Sequence, residues 1–303
     1  MYNKLSRGEC MKKIAVALGS FDGLHTAHRQ VLSLPQDYKK VAVIFKIPPK
    51  MVISGDMDLL LSHEDKCRAL KEFGIDEVAT LDFLKVRNDS PESFLNYLKN
   101  EIGADFIACG FNYRFGIKGT GDTDLLMQFC KENGIECRIS DSYLLPDSTI
   151  LSSSYIRSLL KDGRVEEANN YLFKPFSFTA TVQKGDQRGR TIGFPTINQK
   201  YPEDLVTLRF GVYKTKVLVD GAEYDAITDI GVRPTYKTDY VISETCVKNF
   251  LGDLYGKQVT VIPVKFIREE KKFSSLEELS AAIGENIAQA LEYFEKEGKT
   301  DEK

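Results

Sequence analysis

Two histidines three residues apart are the first side chains in the sequence whose type and spacing suggest chemistry. His25 and His28 belong to the segment Gly19–His28, GSFDGLHTAH, which follows a short apolar run and leads into a helical pattern. A strand, a glycine-containing turn and a helix N-terminus present backbone N–H groups and a positive dipole end, which together bind phosphate. Residues three apart share a helix face, so both imidazoles could stabilise charge that develops on one phosphate. The segment therefore predicts a nucleotide site.

The histidine pair could also serve as a metal ligand pair or as a structural contact. As metal ligands, the two residues would need a third partner that is hard to find, because the only further histidine is His63 and no cysteine lies nearby in the sequence. As a structural contact, the pair would do no more than pack. A glycine-containing segment directly after a strand is unusual for plain packing, which favours the phosphate site.

Two later segments carry polar side chains that suit the same chemistry. Asn112 lies in Gly110–Gly116, GFNYRFG, directly after another apolar run. Ser152–Arg157, SSSYIR, has the composition of a helix start. Serine hydroxyls at a helix N-terminus and an arginine one turn later form a phosphate clamp, because a guanidinium can bond two oxygens at once. The same serines could instead do no more than cap a helix.

A glycine-rich segment in the second half suggests another phosphate site. Gly185, Gly189 and Gly193 recur every four residues within GDQRGRTIGFPTIN, residues 185–198, between two β-like runs. This spacing would let a loop pass close to a phosphate chain. It matches neither a Walker A motif nor the glycine loop of protein kinases. Taken alone, the segment is also typical of an ordinary hairpin loop.

Composition limits the class of protein. The 303 residues are 42% hydrophobic with a net charge of -3, which argues against a nucleic-acid partner. The 6 cysteines are scattered without a CxxC pair, as expected in a reducing compartment. The N-terminus has no apolar signal segment, and no run approaches the ~18 apolar residues of a membrane span. We therefore expect a soluble cytoplasmic protein with no membrane partner.

The two halves of the chain have different hydrophobic periodicities. In the first half, short apolar runs alternate with helical stretches such as Pro91–Glu101, which begins with a capping Ser90 and Pro91, and this alternation predicts an α/β domain with a parallel sheet. From about Lys174, apolar residues alternate with period two, and Asp220-Gly221 gives a strong hairpin signal, so we expect an antiparallel β-barrel or sandwich. A capping box at Ser275 and Glu278 predicts a C-terminal helix. The domains are expected over residues 11–172 and 173–298.

The motifs of both halves resemble one family, the bacterial bifunctional riboflavin kinase/FAD synthetases. Gly19–His28 is similar to the GxFDGxHxGH signature of nucleotidyltransferases, and the blocks at Gly110 and Ser152 resemble the GxNFRFG and SSTxIR blocks of the family's adenylyltransferase half. Residues 185–198 resemble the GxxxGRxxGFPTxN block of riboflavin kinases. Further kinase-like blocks follow in the family's order, at Gly211–Tyr213, Ile230–Thr235, Glu244 and Asp253–Gly256.

The resemblance implies two activities and assigns roles to residues. Riboflavin and ATP would give FMN and ADP on a C-terminal β-barrel, and FMN and ATP would give FAD and pyrophosphate on a Rossmann-like N-terminal domain, both with Mg²⁺. Glu244 would be the general base of the kinase, Thr196 and Asn198 would help to hold Mg²⁺, and His25, His28 and Asn112 would act in adenylyl transfer. The residues expected to bind ATP and phosphate are Gly19, Ser20, Phe21, Asp22, Gly23, Ser153, Ser154, Arg157, Gly185, Gly189, Arg190, Gly193 and Pro195.

The sequence departs from the family at several positions. Ala27, Ser154, Ile197, Asp229 and Asn249 stand where glycine, threonine, alanine, asparagine and aspartate are usual, and the proline-containing loop at residues 45–49 matches only loosely. These departures leave two rivals: a cytidylyltransferase-like domain joined to an unrelated barrel, and a non-catalytic flavin or nucleotide sensor. The kinase blocks argue against the first, and the intact polar residues argue against the second.

Overall fold

The computed structural model describes residues 12–55, 58–185, 195–233, 240–250 and 252–269. The chain forms two compact units. One comprises the residues up to Tyr155 with Leu172–Lys174, and the other comprises Ile156–Tyr171 and the residues from Pro175 onward. The division into domains 11–172 and 173–298 stays a proposal, since it concerns where the two activities divide.

The first unit is built on a parallel sheet flanked by helices. Its strands are β1 (Ile14–Leu18), β2 (Lys39–Phe45), β3 (Glu77–Leu81), β4 (Ala104–Gly110) and β5 (Glu136–Ser140). The helices between them are α1 (Thr26–Leu32), α2 (Pro49–Ser54), α3 (His63–Phe73), α4 (Phe83–Val86), α5 (Pro91–Asn96) and α6 (Thr123–Glu132), with a π-helical turn at Tyr97–Ile102 and a 3₁₀ turn at Ile117–Gly119. Helix α7 (Ser153–Lys161) contributes residues to both units, and α8 (Val165–Tyr171) belongs to the second.

The order of the strands in the sheet, β3-β2-β1-β4-β5, creates a crevice beside β1. Side chains of β1 alternate between two apolar cores: Val16 and Leu18 pack on one face, and Ala15 and Ala17 on the other. The chain moves from β1 to β2 and β3 on one side and then crosses to β4 on the other. In such sheets, ligands bind where the strand order reverses, outside the carboxyl ends of the strands. The loops after β1 and β4 flank this point.

The predicted start of α5 is confirmed. The Ser90 hydroxyl accepts a hydrogen bond from the backbone N–H of Ser93 at 3.2 Å, and Pro91 occupies the first helical turn. The predicted helical stretch Pro91–Glu101 changes type along its length: α5 ends at Asn96, and the chain continues as a π-helical turn that is followed by Gly103 in the left-handed conformation.

The second unit contains a closed antiparallel barrel, as one of the two predicted alternatives requires. Its strands are β6 (Phe178–Gln183), β7 (Thr196–Lys200), β8 (Gly211–Val219), β9 (Ala222–Arg233), β10 (Tyr240–Val247) and β11 (Gln258–Arg268), in the order β10-β7-β6-β11-β8-β9. The hairpin predicted at Asp220-Gly221 joins β8 to β9, with φ of 50° and 85° at the two residues. Two successive positive φ angles suit a two-residue hairpin turn. The predicted C-terminal helix lies outside the described residues.

The barrel interior contains a row of threonines linked by their hydroxyls. Thr228 on β9 lies between Thr215 on β8 and Thr245 on β10, with both oxygen–oxygen distances 2.9 Å, and all three residues are buried. Buried hydroxyls need hydrogen-bond partners, and here each satisfies the next across neighbouring strands. The row therefore links three strands of the barrel, two of which carry the polar site described below.

We expect Thr228→Val to destabilise the barrel by about 1–3 kcal/mol, because it leaves both neighbouring buried hydroxyls without their partner. The measurement is urea unfolding followed by circular dichroism. Thr260→Val is the matched control, since Thr260 also pairs with a threonine across strands, at 2.7 Å from Thr179, but on the exposed face. The control should change stability by less than about 0.5 kcal/mol. Equal losses in the two variants would contradict the importance of the buried row.

Candidate active sites

The loop after β1 holds an unusual backbone conformation. Phe21, Gly23 and Leu24 have φ angles of 47°, 84° and 42°, although only one of them is a glycine. Phe21 and Leu24 are buried among the core residues of the sheet, and the Phe21 ring packs against the backbone of Gly19. Ser20, which lies between Gly19 and Phe21, is exposed to solvent. Left-handed backbone at bulky residues persists only when the surroundings enforce it, and such strain concentrates at functional sites.

The carboxylate of Asp22 is the main support of this loop. It is buried and accepts hydrogen bonds from the backbone N–H groups of Leu60, at 3.0 Å, and Leu61, at 3.2 Å. The carbonyl oxygen of Asp22 accepts a hydrogen bond of 2.8 Å from the hydroxyl of Ser153 at the start of α7. One residue thus fixes the loop to two segments that are distant in the sequence.

The two histidines lie together, as their spacing predicts, and the contact between them is a stacking of their rings. His25 precedes the first residue of α1 and is 3% exposed, and its ring stacks on that of His28 with centroids 3.7 Å apart. The Phe21 ring contacts His28 edge-on at 5.4 Å. The Nδ1 atom of His28 is buried and has no hydrogen-bond partner among the described residues. A buried polar atom without a partner requires an explanation, and a bound ligand would supply one.

Burial lowers the pKa of His28 well below its ordinary value, and the charges of His25 and Lys66 lower it further. The ring is therefore neutral at pH 7. Two stacked imidazoles could not both carry a proton without strong repulsion. The pair can donate N–H groups to phosphate oxygens, whose negative charge increases as a phosphoanhydride breaks.

Asn112 follows the end of β4, and Ser152–Ser154 lie at the start of α7. Asn112 is exposed in a turn directly after β4, with its amide oxygen near the backbone of Gly110, on the other side of the crevice from β1. The Ser152 hydroxyl caps α7 by accepting from Tyr155 N–H at 3.2 Å. Arg157 follows Ser153 by four residues and shares its helix face, while Ser154 is exposed. Capping is thus the role of Ser152, and Ser153 joins α7 to the loop after β1.

An aromatic cavity near the same end of the sheet was missed by sequence reasoning, apart from the loose match at residues 45–49. It has a volume of about 540 Å³. Its walls include Phe45, Phe83, Phe94, Tyr113 and Phe115, and its basic residues are Arg87, Arg114 and Lys118. These residues come from the end of β2 and from the segments after β2, β3 and β4, so no single local motif marks the cavity. Its shape and composition suit a large flat aromatic ligand with an anionic group.

In the barrel, the register of three strands brings together the polar residues of the second site. Glu244 on β10 lies directly opposite Asn198 on β7 and opposite Asp229 on β9. Thr196 pairs with Cys246, so it lies one step along the same face of β7 as Asn198. The alternate residues Ser243 and Thr245 are buried inside the barrel, so this polar row lies on the outer face. The structure therefore places Thr196, Asn198 and Glu244 together.

Gly185 brings the start of the glycine-rich segment against this row. A Cβ atom at Gly185 would lie 2.5 Å from Cγ of Asn198, so only glycine permits this approach. Pro195 is exposed and leads into β7. Gly189, Arg190 and Gly193 lie outside the described residues.

The donor atoms of this row suit a divalent cation that binds oxygen ligands. The amide oxygen Oδ1 of Asn198 is buried without a hydrogen-bond partner among the described residues. Glu244 and Thr196 supply a carboxylate and a hydroxyl beside it. Among the described residues, no cluster of three or more histidines, cysteines and carboxylates could hold a metal ion. A cation here would be held by a mixed set of oxygen donors together with phosphate, as is usual for Mg²⁺.

A phosphate-suited crevice at the switch point of a parallel sheet and an oxygen-rich row beside a glycine loop define an enzyme that transfers phosphorus-containing groups. Comparison with known proteins makes this specific. The FAD synthetase family model matches residues 8–154, and the riboflavin kinase family model matches residues 172–294. The chain belongs to the family of bifunctional riboflavin kinases/FMN adenylyltransferases.

Relatives of known name match along nearly the whole chain. The bifunctional riboflavin kinase/FMN adenylyltransferase of Listeria monocytogenes is 30% identical over 93% of this chain and 92% of that protein. The Bacillus subtilis protein of the same name is 30% identical over 93% of both chains. A crystal structure described as a macrolide-efflux protein from Streptococcus pneumoniae superposes with a TM-score of 0.80 at 26% identity, over 91% of this chain and 93% of that one. Within the described part of this chain, no helix is long and apolar enough to cross a membrane.

We expect Gly23→Ala to disable the site in the first unit. A Cβ atom would lie 2.7 Å from Cδ1 of Leu60, beside the N–H group that binds Asp22. Backbone strain at φ of 84° and overpacking should together destabilise the protein by roughly 2–4 kcal/mol and displace the loop. Gly74→Ala is the control, because Gly74 has φ of 105° but no neighbour within 4 Å. It should lose only the backbone term, about 1–2 kcal/mol, and retain adenylyl transfer. Similar losses in both variants, measured by thermal unfolding and FAD formation, would contradict this account.

Proposed function

We propose that this chain converts riboflavin to FMN on its barrel and FMN to FAD on its parallel-sheet domain. The observation that carries the proposal is the presence of two groups of polar residues, one beside the crevice of the sheet and one on the outer face of the barrel, in a chain whose relatives bear both names. The functional domains would be residues 11–172 and 173–298, and we place the protein in the cytoplasm. ATP donates a phosphoryl group in the first reaction and an adenylyl group in the second.

In adenylyl transfer, a phosphate oxygen of FMN attacks the α-phosphorus of ATP, the bond to the β-phosphate oxygen breaks, and pyrophosphate leaves. The backbone of Gly19–Gly23 and the hydroxyls of Ser153 and Ser154 would bind the phosphates. The neutral ring of His28 and the ring of His25 stacked on it would donate to oxygens that gain charge, while Asn112 and Arg157 would orient the triphosphate. No protein group needs to become covalently modified, because positioning and electrostatic stabilisation suffice.

The aromatic cavity would bind the flavin ring of FMN. The ring is flat and apolar, which suits walls such as Tyr113 and Phe115, whose rings are stacked with centroids 6.0 Å apart. Cationic side chains at the cavity, Arg87 and Lys118 among them, would attract the FMN phosphate. This assignment follows from the shape and the charges of the cavity.

In phosphoryl transfer, the 5′-hydroxyl of riboflavin attacks the γ-phosphorus of ATP, and ADP leaves. Glu244 would accept the hydroxyl proton. Thr196 and Asn198 would hold Mg²⁺, which spreads the negative charge of the phosphates when it is bound. Gly185, Gly189, Arg190, Gly193 and Pro195 would surround the ATP phosphates. Asp229, where relatives usually have asparagine, adds a second carboxylate beside Glu244 and would strengthen cation binding while repelling the nucleotide's own charge.

Incubation of the purified protein with riboflavin, ATP and Mg²⁺ tests the proposal directly. FMN should accumulate first and FAD later, as separated by chromatography. If neither FMN nor FAD forms, the result supports the sensor alternative. If only FMN forms, the departures in the first unit have removed adenylyl transfer. Replacing ATP by CTP in the second step tests the cytidylyltransferase alternative.

We expect His28→Ala to reduce FAD formation from FMN by roughly 10²–10³-fold, the usual loss for one charge-stabilising donor. Riboflavin phosphorylation should stay nearly unchanged, because His28 belongs to the first unit. His63→Ala is the matched control and should retain both activities within a few-fold. Equal loss of both activities in a folded His28→Ala protein would contradict two separate sites.

Glu244→Gln should reduce riboflavin phosphorylation by roughly 10²–10⁴-fold, because the amide keeps the shape of the side chain but cannot accept a proton. Calorimetry should show ATP binding within a few-fold of the parent. Asp229→Asn makes the same chemical change on the neighbouring strand and should leave the kinase active. If Glu244→Gln phosphorylates riboflavin at a similar rate to the parent, Glu244 positions the substrate and is not the base.

A further inference from the structure

A lysine of the first unit is buried in the helix whose start is bonded to the loop after β1. Lys66 lies in the first turns of α3 and is 1% exposed. Lysine is almost never fully buried unless it is paired, because taking an ammonium out of water costs several kcal/mol. The buried charge of Lys66 must therefore be compensated by neighbouring groups of the fold.

The charged and titratable groups around Lys66 belong to the nucleotide site. Burial lowers the pKa of Lys66, and the carboxylate of Asp22 raises it. The Lys66 charge in turn lowers the pKa of His28 and of His63. His28 is also affected by His25, and His63 by Lys46 and Glu64. The ammonium is thus close enough to act on both the carboxylate that fixes the loop and the histidine pair.

Chain geometry explains how one side chain can act on both. Asp22 accepts from the N–H groups of Leu60 and Leu61, which directly precede Ser62, the residue that caps α3 through Asp65. Helix α3 is therefore fixed to the loop after β1 at its first turn, where Lys66 lies.

We propose that Lys66 is a positioning residue for adenylyl transfer, whose buried ammonium orders the loop through Asp22 and supplies a permanent positive charge near His28. The proposal rests on the proposed function of this site. In a low-dielectric interior, such a charge interacts strongly with a phosphate brought into the crevice. It also disfavours protonation of His28, so that ring meets the substrate as a neutral donor.

A purely structural role makes the opposite prediction. Removing one of two interacting buried charges is usually destabilising, but Asp22 keeps its two backbone N–H donors, so the loss of Lys66 should cost little stability. If Lys66 served packing alone, Lys66→Met would keep both stability and activity. If Lys66 serves adenylyl transfer, the variant keeps or gains stability but loses FAD formation.

The test compares Lys66→Met with Lys71→Met, a matched change at an exposed position of the same helix. We expect Lys66→Met to lower kcat for FAD formation by roughly 10–100-fold, as loss of a supporting partner of a functional histidine typically does. The rate of riboflavin phosphorylation by the same variant and its unfolding temperature should both match those of the parent. Lys71→Met should match the parent in all three measurements. Lys66→Met protein that makes FAD within about twofold of the parent would overturn the proposal.

Histidine titration by NMR gives a second readout that needs no activity. The chain has 3 histidines, so their ring signals are few enough to assign by single substitutions. In the parent, the titration midpoint of His28 should lie well below the ordinary pKa of histidine. In Lys66→Met, this midpoint should move to higher pH. An unmoved midpoint would overturn the electrostatic part of the proposal. If Lys66→Met does not fold, Lys66→Gln serves the same comparison. If the parent makes no FAD, the proposed function fails, while the titration still decides whether Lys66 acts on the pair.

Discussion

The buried carboxylate of Asp22 is the interaction on which the loop after β1, the proposed nucleotide site, depends. Its side chain fixes the segment before α3, and its carbonyl oxygen accepts from Ser153 at the start of α7. Three parts of the chain that are far apart in the sequence therefore meet at one residue. The strained loop at Phe21 and Leu24 can persist because these bonds and the packing around them determine its conformation. The positions of the histidine pair follow from that conformation.

The proposed phosphate sites of the two units are built differently. In the first, a parallel sheet leaves a crevice at its switch point, and loops after the strands line it. In the second, every barrel strand has two neighbours, and the site depends on cross-strand register, which sets Asn198, Glu244 and Asp229 side by side. A one-residue slip of β10 would turn Glu244 into the barrel interior. The buried threonine row opposes such a slip, since it requires the same register of β9 and β10.

Local chemistry allowed much of this to be predicted from the sequence. Asp220-Gly221 favours a hairpin because both positions tolerate positive φ, and Ser90-Pro91 favours a helix start because of the cap and the fixed proline φ. The motifs around His28 and Asn198 indicated the two sites. The aromatic cavity could not be predicted, because its walls come from residues distributed between Phe45 and Gly119. Lys66 gave no signal either: a lysine in a polar helical pattern is expected to face solvent, and its burial is a tertiary effect. Assignments for Gly189, Arg190 and Gly193 stay predictions.

The closed barrel and the open sheet also differ in how they prevent their strands from pairing with strands of other chains. In the barrel, both backbone edges of every strand are hydrogen-bonded, so no edge can recruit a strand from another chain. The sheet of the first unit ends at β3 and β5, each only five residues long. Glu77 on β3 forms an ion pair with Lys39, and β5 carries Glu136 and Arg138. Short, charged edges discourage intermolecular pairing, so the sheet limits by strand length and charge the pairing that the barrel limits by closure.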